Sequence, residues 1–350
     1  MKLKIHAKEF EKFAKNILYA VGVRKDLAIN ISEGIKQNSL RGIDSHGIRL
    51  LPHYIQGLVE GRLNKNPDYK FTKTSSSTGK LDGDHAPGYG AGARGMLCAI
   101  ELANEAGIGA VTVFNSSHFG AAAYYAFMAA EKDMLGLSFT HATAHVLSFK
   151  GKRPFFGNNP ICIAAPCHGE EPFCLDMATT VSTFNNIQHY KELGKKVPLG
   201  LGVDKNGEDT DDPAHIESLI SIGGYKGFGL SMMVEILCSL LSGMPYGRDV
   251  SSMFGVPMDQ KRYLGHFFMA IKIASFEDPN IFKKRLKEMM DSLRQEPSFD
   301  PELPVLVPGD PEKTSMNKRS QNGIPISRFT WKEYEKLSFR YDVPLPDLIA

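Results

Sequence analysis

This 350-residue sequence offers little that would staple it from outside or anchor it in a membrane. Its five cysteines, Cys98, Cys162, Cys167, Cys174 and Cys238, are odd in number and form no CxxC pair. They read as free thiols in a reducing compartment, not as a disulfide framework. Three lie between 162 and 174, at spacings of five and seven that suit zinc poorly, so no metal is expected. No apolar run reaches the ~18–20 residues of a spanning helix, and the longest, Leu230–Leu241, carries Glu235. The opening MKLKIHAKEFEKF lacks the apolar run and small-residue cleavage site of a signal peptide. The expected location is therefore the cytoplasm, off the membrane. A net charge of only +2 gives no general attraction to nucleic acid. What is present, 42% hydrophobic and 23% charged residues, is ordinary for a globular chain able to bury a core unaided.

Apolar residues at helical spacing predict amphipathic helices over 7–21 and 25–40, and a third over 49–58. The serine run at 75–77 and LDGDHAPGYGAG predict a loop, followed by a helix over 91–106. Strands are expected at 110–114, 135–140, 161–165, 173–175 and 267–273. Helices are expected at 121–132, 227–242 and 279–295, with a last helix from Thr330. Residues 192–213 are turn-rich and 296–325 Pro-rich and irregular. Strand and helix alternate through the middle, which argues an α/β sheet core. The expected organisation is an N-terminal helical segment (1–65), an α/β core (66–300) and a C-terminal extension (301–350) closing back on it.

Several motifs invite chemistry and fail their context. Gly90-x-Gly92-x-x-Gly95 opens a helix, but DGDHAPGY before it is a poor strand. The next strand ends in Asn115, where a dinucleotide fingerprint requires an acid for the ribose. Asp204-Lys-Asn206-Gly-Glu208 resembles a calcium loop, yet its glycine comes too early and His215 stands at the closing position. His141 and His145 have the spacing of a helical zinc pair, but Ala142 stands where a hydrolase carries its Glu.

Other segments carry more. Arg41-Gly-Ile-Asp44-Ser45-His46-Gly47-Ile-Arg49 puts two guanidiniums, a carboxylate, a hydroxyl and an imidazole into a helix–helix break. Arginine is suited to a bidentate grip on a carboxylate, and histidine to proton transfer near neutral pH. The plain alternative is a capped junction. Asn115-Ser-Ser117-His118-Phe-Gly120 follows a predicted strand, where α/β folds place chemistry. Gly157-Asn158-Asn159-Pro160, Asp176-Met177-Ala178-Thr-Thr180 and Gly224-Tyr225-Lys226-Gly227-Phe-Gly229 complete the set. The last can offer backbone N–H groups and Lys226 to a phosphate, or be a plain helix start.

In this order, RGIDSHG, NSSHFG, GNNP, LDMATT, GGYKGFG, LGHFF (264–268) and VPGDPE near 307 resemble the malate/L-lactate dehydrogenase family over nearly the whole chain. That family also includes ureidoglycolate, sulfolactate and diketogulonate enzymes. The resemblance implies a non-Rossmann α/β fold with a mixed sheet, NAD or NADP as cofactor, and a homodimer with its active site at the interface. It implies acid/base roles for His118 or His46, and a substrate-carboxylate role for Arg49, with Ser45 and Tyr54 at the substrate. Asn158, Asp176, Met177, Ala178, Lys226, Gly309 and Asp310 are implied as cofactor contacts. There is one departure: HATAHVLSFKG has Ala142 where relatives carry a small polar residue that can touch the nicotinamide.

The implied reaction is hydride transfer between a nicotinamide and a small 2-oxo or 2-hydroxy acid. A reductase of cyclic 2-imino acids would use the same clamp. More distant alternatives are a methyltransferase built on GYGAGARG, which Asn115 disfavours, and a non-catalytic NAD-binding protein.

Overall fold

The apolar spacing near the N-terminus does close helices. The computed structural model describes residues 3–192 and 194–349. A short strand, β1 (Leu3–Ile5), leads into α1 (Ala7–Ala20) and α2 (Lys25–Leu40). α1 buries Phe10, Phe13, Ala14, Ile17 and Leu18, and α2 buries Leu27, Ala28, Ile31 and Ile35, so the expected faces are the packed ones. The chain breaks into two 3-10 turns, Asp44–His46 and Ile48–Leu50, and resumes as α3 (Leu51–Glu60).

Next, β2 (Lys70–Lys73) and β3 (Thr78–Asp82) form a hairpin turning through the serine run. α4 (Gly88–Ala106), β4 (Ile108–Ser116), α5 (Ala123–Ala130) and β5 (Met134–Thr140) follow, then β6 (Val146–Leu147), β7 (Pro154–Phe156), β8 (Ile161–Ala165) and β9 (Phe173–Met177). After α6 (Phe184–Glu192) come β10 (Gly202–Val203), β11 (Ser218–Leu219), α7 (Tyr225–Glu235), β12 (Leu264–Lys272) and α8 (Pro279–Arg294). The chain closes with α9 (Asp310–Asn322), β13 (Ile324–Ile326) and α10 (Arg328–Tyr341).

The main sheet has seven strands in the order β2-β3-β4-β12-β5-β8-β9. Among the described residues only β3 and β4 pair in parallel within it; the other pairs are antiparallel. This is a mixed sheet, not the parallel sheet of a dinucleotide-binding Rossmann domain. α4 and α5 cover one face with Met96, Ala99, Ala126 and Ala129 against Val111, Val113 and Phe268. α7 and the π-helical turn after it (Ile236–Leu240) cover the other, with Val234 and Cys238 against Phe139 and Phe267. Three layers result. A second sheet, β10-β11-β6-β7, sits beside them, and β1 pairs with β13. α10 lies on α1, with Phe13 and Tyr334 ring centroids 5.0 Å apart, and the Tyr334 hydroxyl donates to the Ile48 carbonyl at 2.6 Å.

Two expectations change. α4 begins at Gly88, so Gly90, expected in the loop, lies inside the helix with Gly92 and Gly95. A Cβ at Gly95 would stand 2.6 Å from Val113 Cγ2 and 2.8 Å from Phe268 Cδ2. These glycines therefore let α4 lie close on the sheet. The Pro-rich stretch 296–325 is not irregular throughout: it contains α9, whose Pro311 occupies the first turn, where a proline is tolerated.

Candidate active site

Strand direction decides where chemistry can sit. β4, β5 and β9 end, and β8 and β12 begin, at one edge of the sheet. The loops at that edge meet the break between α2 and α3, and together they line a cleft of about 1020 Å³. Of the residues singled out in the sequence, Ser45, His46, Arg49, His118, Asn158, Asp176, Ala178 and Gly309 line it. Met177, Lys226 and Asp310 do not. Lys226 is exposed on the first turn of α7. The Asp310 carboxylate is held by Arg294, with Oδ1–Nη2 at 2.7 Å.

His118 occupies the loop after β4. Gly88, at the start of α4, donates its N–H to the His118 carbonyl at 3.2 Å, and a Cβ there would stand 2.6 Å from the same oxygen. Only a glycine lets the helix end abut this loop. Tyr54 lies outside the cleft lining; its hydroxyl meets His118 Nδ1 at 2.6 Å. Nε2 is thereby the ring nitrogen left for the cleft. The His46 ring stacks on that of His118, centroids 5.3 Å apart and 17° between planes. Ser45 Oγ lies 2.8 Å from His46 Nδ1. The 3-10 turn carrying His46 is held by Asn38, which donates to the His46 carbonyl at 3.0 Å. Asp44 turns away, where Arg319 grips it with both nitrogens.

Burial and nearby positive charge keep these imidazoles neutral. Burial, then Arg49, pushes His46 down to about 4. Burial, then His46 and Arg262, holds His118 well below the ordinary histidine value. Asp176 moves the other way: burial raises its carboxyl to about 6, against the Ala123 N–H that it accepts at 2.8 Å.

Two cations matter that the sequence did not flag for the cleft. Arg262, just before β12, lines it while only 4% exposed. Its Nη2 donates to Thr143 Oγ1 and the Ser251 carbonyl, both at 2.9 Å. It has no carboxylate partner among the described residues, and burial, then Arg62, lowers it to about 9. A lone arginine ahead of an apolar strand carries no sequence signal of this. Arg41 was noted only as one charge in its motif. It is buried at the cleft wall, one nitrogen on Glu171 at 2.8 Å, with Nε and Nη2 lacking acceptors among the described residues.

The malate/L-lactate dehydrogenase family model matches residues 5–335. The chain belongs to that family. It is 34% identical to a malate dehydrogenase of Pyrococcus abyssi, over 97% of this chain and 96% of the relative. It is 30% identical to the NAD(+) ureidoglycolate dehydrogenase of Escherichia coli K12, over 93% of each. The crystal structure of malate dehydrogenase from Entamoeba histolytica superposes with a TM-score of 0.94 at 30% identity, covering 99% of this chain and 100% of that one. As a family member the chain is an oxidoreductase of small 2-hydroxy acids on a mixed α/β fold.

Proposed function

We propose that this cleft holds NAD or NADP beside a small 2-oxo or 2-hydroxy acid, and that His118 moves the proton. The hydrogen bond between His118 Nδ1 and the Tyr54 hydroxyl carries the assignment, because it aims Nε2 at the cleft. The residues fit a dinucleotide. Gly309, at φ +99°, brings the Val307–Gly309 turn against β9, where a Cβ would lie 3.3 Å from the Cys174 carbonyl. Arg41, with two buried nitrogens lacking acceptors, supplies charge for an anionic group. Asn158, Asp176, Ala178 and Gly309 are the cofactor residues in this reading. It does not rest on Met177, Lys226 or Asp310.

When bound, the nicotinamide supplies or accepts the hydride. The chain's own work is orientation and proton transfer. Arg49 at the mouth and Arg262 below it hold the substrate carboxylate, which fixes the 2-carbon. In oxidation His118 Nε2 takes the hydroxyl proton as the O–H bond breaks, and Nδ1–H donates to the Tyr54 oxygen. In reduction the proton returns from Nε2 to the carbonyl oxygen. His46, stacked alongside with its Nδ1 on Ser45, orients His118 and keeps its charge unfavourable until an anion arrives.

The site draws Ser45, His46 and Arg49 from the N-terminal helical segment, His118 and Asp176 from the α/β core and Gly309 from the C-terminal extension, so it needs all three. A homodimer is part of the proposal. The helix over α7 and its π-helical continuation presents Tyr225 and Leu240 at 69% and 55% exposure, with Met232 and Leu241 between and beside them. Such an apolar face suits a second copy. A cytoplasmic location belongs to the same reading and rests on five unbridged cysteines.

The test is turnover of NADH and NADPH against pyruvate, oxaloacetate, oxalurate, sulfopyruvate, diketogulonate and a cyclic 2-imino acid. Oxidation dependent on one of the 2-oxo acids is expected. Turnover of the imino acid alone would move the substrate class, and binding of dinucleotide with no turnover would remove catalysis.

A further inference from the structure

Glu235 ends α7 as a carboxylate 3% exposed, with no lysine or arginine on it among the described residues. Burying an ionised carboxylate without a full counter-charge is costly, and a wall packed for stability alone would carry an apolar side chain. Its partners explain its presence. Oε1 accepts the Gly247 N–H at 2.7 Å, and Oε2 accepts from Asn159 Nδ2 at 2.7 Å. His141 Nδ1 lies 3.6 Å from Oε1. Because His141 Nε2 accepts the Gly265 N–H at 2.9 Å, a neutral ring carries its proton on Nδ1, facing Glu235. Immediately after Glu235 the helix widens into a π-helical turn over Ile236–Leu240.

Asn159 is the link from this carboxylate to the cleft. It is buried and held at φ +27°, a conformation that side-chain-bearing residues rarely adopt. Since a carboxylate only accepts, the Asn159 amide must turn Nδ2 to Glu235, which leaves Oδ1 for the Ala142 N–H at 3.1 Å. Nδ2 also donates to the Ser231 carbonyl at 3.0 Å. The neighbouring Asn158 carbonyl accepts the Thr179 N–H at 2.9 Å. Asn159 thus ties the loop after β5 and the loop before β8 to Glu235 and Ser231 of α7, and Ala142 and Asn158 on those loops line the cleft. At Ala142 there is no polar side chain, so placement of the backbone sets this part of the wall.

We propose that Glu235, acting through Asn159 and backed by His141, is a positioning residue that sets the Ala142–Asn158 wall for dinucleotide binding. The inference rests on the functional reading above for the identity of the ligand, but not for the network. Glu235→Gln probes it. The glutamine has one oxygen for two donors, so either the Gly247 N–H or Asn159 Nδ2 is left facing its NH2 group. Asn159 cannot flip to compensate without setting Oδ1 against the Ser231 carbonyl. Asn159→Ala removes the link itself, so the double variant Glu235→Gln/Asn159→Ala should lose no more than Asn159→Ala alone.

The experiment reads hydrogen exchange of the 141–147 segment in cofactor-free protein, and titrates NADH and NADPH by fluorescence, on wild type, Glu235→Gln, Asn159→Ala and the double variant. Loss of a buried hydrogen bond predicts exchange and dissociation constant both rising roughly tenfold in Glu235→Gln, with the global melting transition retained. The double variant should match Asn159→Ala to within about threefold. Unchanged exchange in Glu235→Gln, or losses that add in the double variant, overturns the proposal. Should Glu235→Gln not fold, Asn159→Ala alone decides: faster exchange of 141–147 with weaker dinucleotide binding supports the network, and wild-type exchange and binding refute it. Wild type binding neither dinucleotide would sink the functional reading, and the exchange data would still judge the network.

Discussion

Tyr54→Phe removes one oxygen from the site and little else. The ring is 2% exposed and packs on Tyr89 with centroids 5.6 Å apart, contacts a phenylalanine keeps. What goes is the 2.6 Å contact to His118 Nδ1. In free enzyme His118 is neutral at pH 7, held down by burial and by His46 and Arg262. When Nε2 takes the substrate's hydroxyl proton, the imidazolium Nδ1–H needs an acceptor, and the Tyr54 oxygen is the one in place. A hydrogen bond to a charged group is worth about 1.5–3 kcal/mol. At about 1.4 kcal/mol per decade, kcat for oxidation should fall ~10–100-fold. The sign on pH follows: losing that acceptor disfavours the protonated ring, so its pKa drops further. The acid limb of kcat/KM for hydroxy-acid oxidation then moves to lower pH, while reduction at neutral pH, which needs the protonated ring, loses more. The assay is steady-state kinetics in both directions across pH, with an NADH titration expected to match wild type. A plateau within twofold of wild type and an unmoved acid limb would reduce Tyr54 to a packing residue.

His46→Ala uncovers the stacked face of His118 and relieves the burial that holds it down, so the acid limb for oxidation should move up, and kcat should fall less than in His118→Ala; the reverse order of losses would make His46 the proton donor. Arg262→Lys keeps the charge and loses the planar fork. It should raise KM and lower kcat together, by more than Arg49→Lys, because Arg262 is buried and Arg49 exposed; equal or opposite effects would return the carboxylate to Arg49. Gly95→Ala forces a methyl against Val113 and Phe268 and should cost about 1–3 kcal/mol in urea unfolding. NADH affinity of the folded variant should be unchanged, and a selective loss of NADH would restore a fingerprint role for that glycine.

The elements legible in the sequence were those whose pattern is local. Ile161–Ala165 and Lys25–Leu40 form where the sequence reading placed them, because a short apolar run and helical spacing are both local signals. β10 and β11, two residues each, were not legible, since strands that short have no period and exist only through their partners. α9 was hidden by prolines, which the first helical turn tolerates. In the site, RGIDSHG and NSSHFG announced themselves by dense functional groups at breaks in pattern. Which groups face the cleft was another matter. Asp44 was as prominent as His46, yet Arg319, 275 residues away, claims it. Arg262 gave no local sign and Glu235 stood out only as a charge within an apolar run, because their roles come from burial and from partners brought in by the fold.

The central claim is that His118 transfers the proton to and from a 2-oxo acid beside a nicotinamide cofactor. Its most direct test is kcat for NADH- or NADPH-dependent reduction of the best 2-oxo acid by wild type and His118→Ala, with dinucleotide affinity measured on the same samples. The account predicts turnover by wild type, a fall of roughly 10²–10⁴-fold in the variant, and dinucleotide binding close to wild type. A variant that turns over at near-normal rate would contradict it.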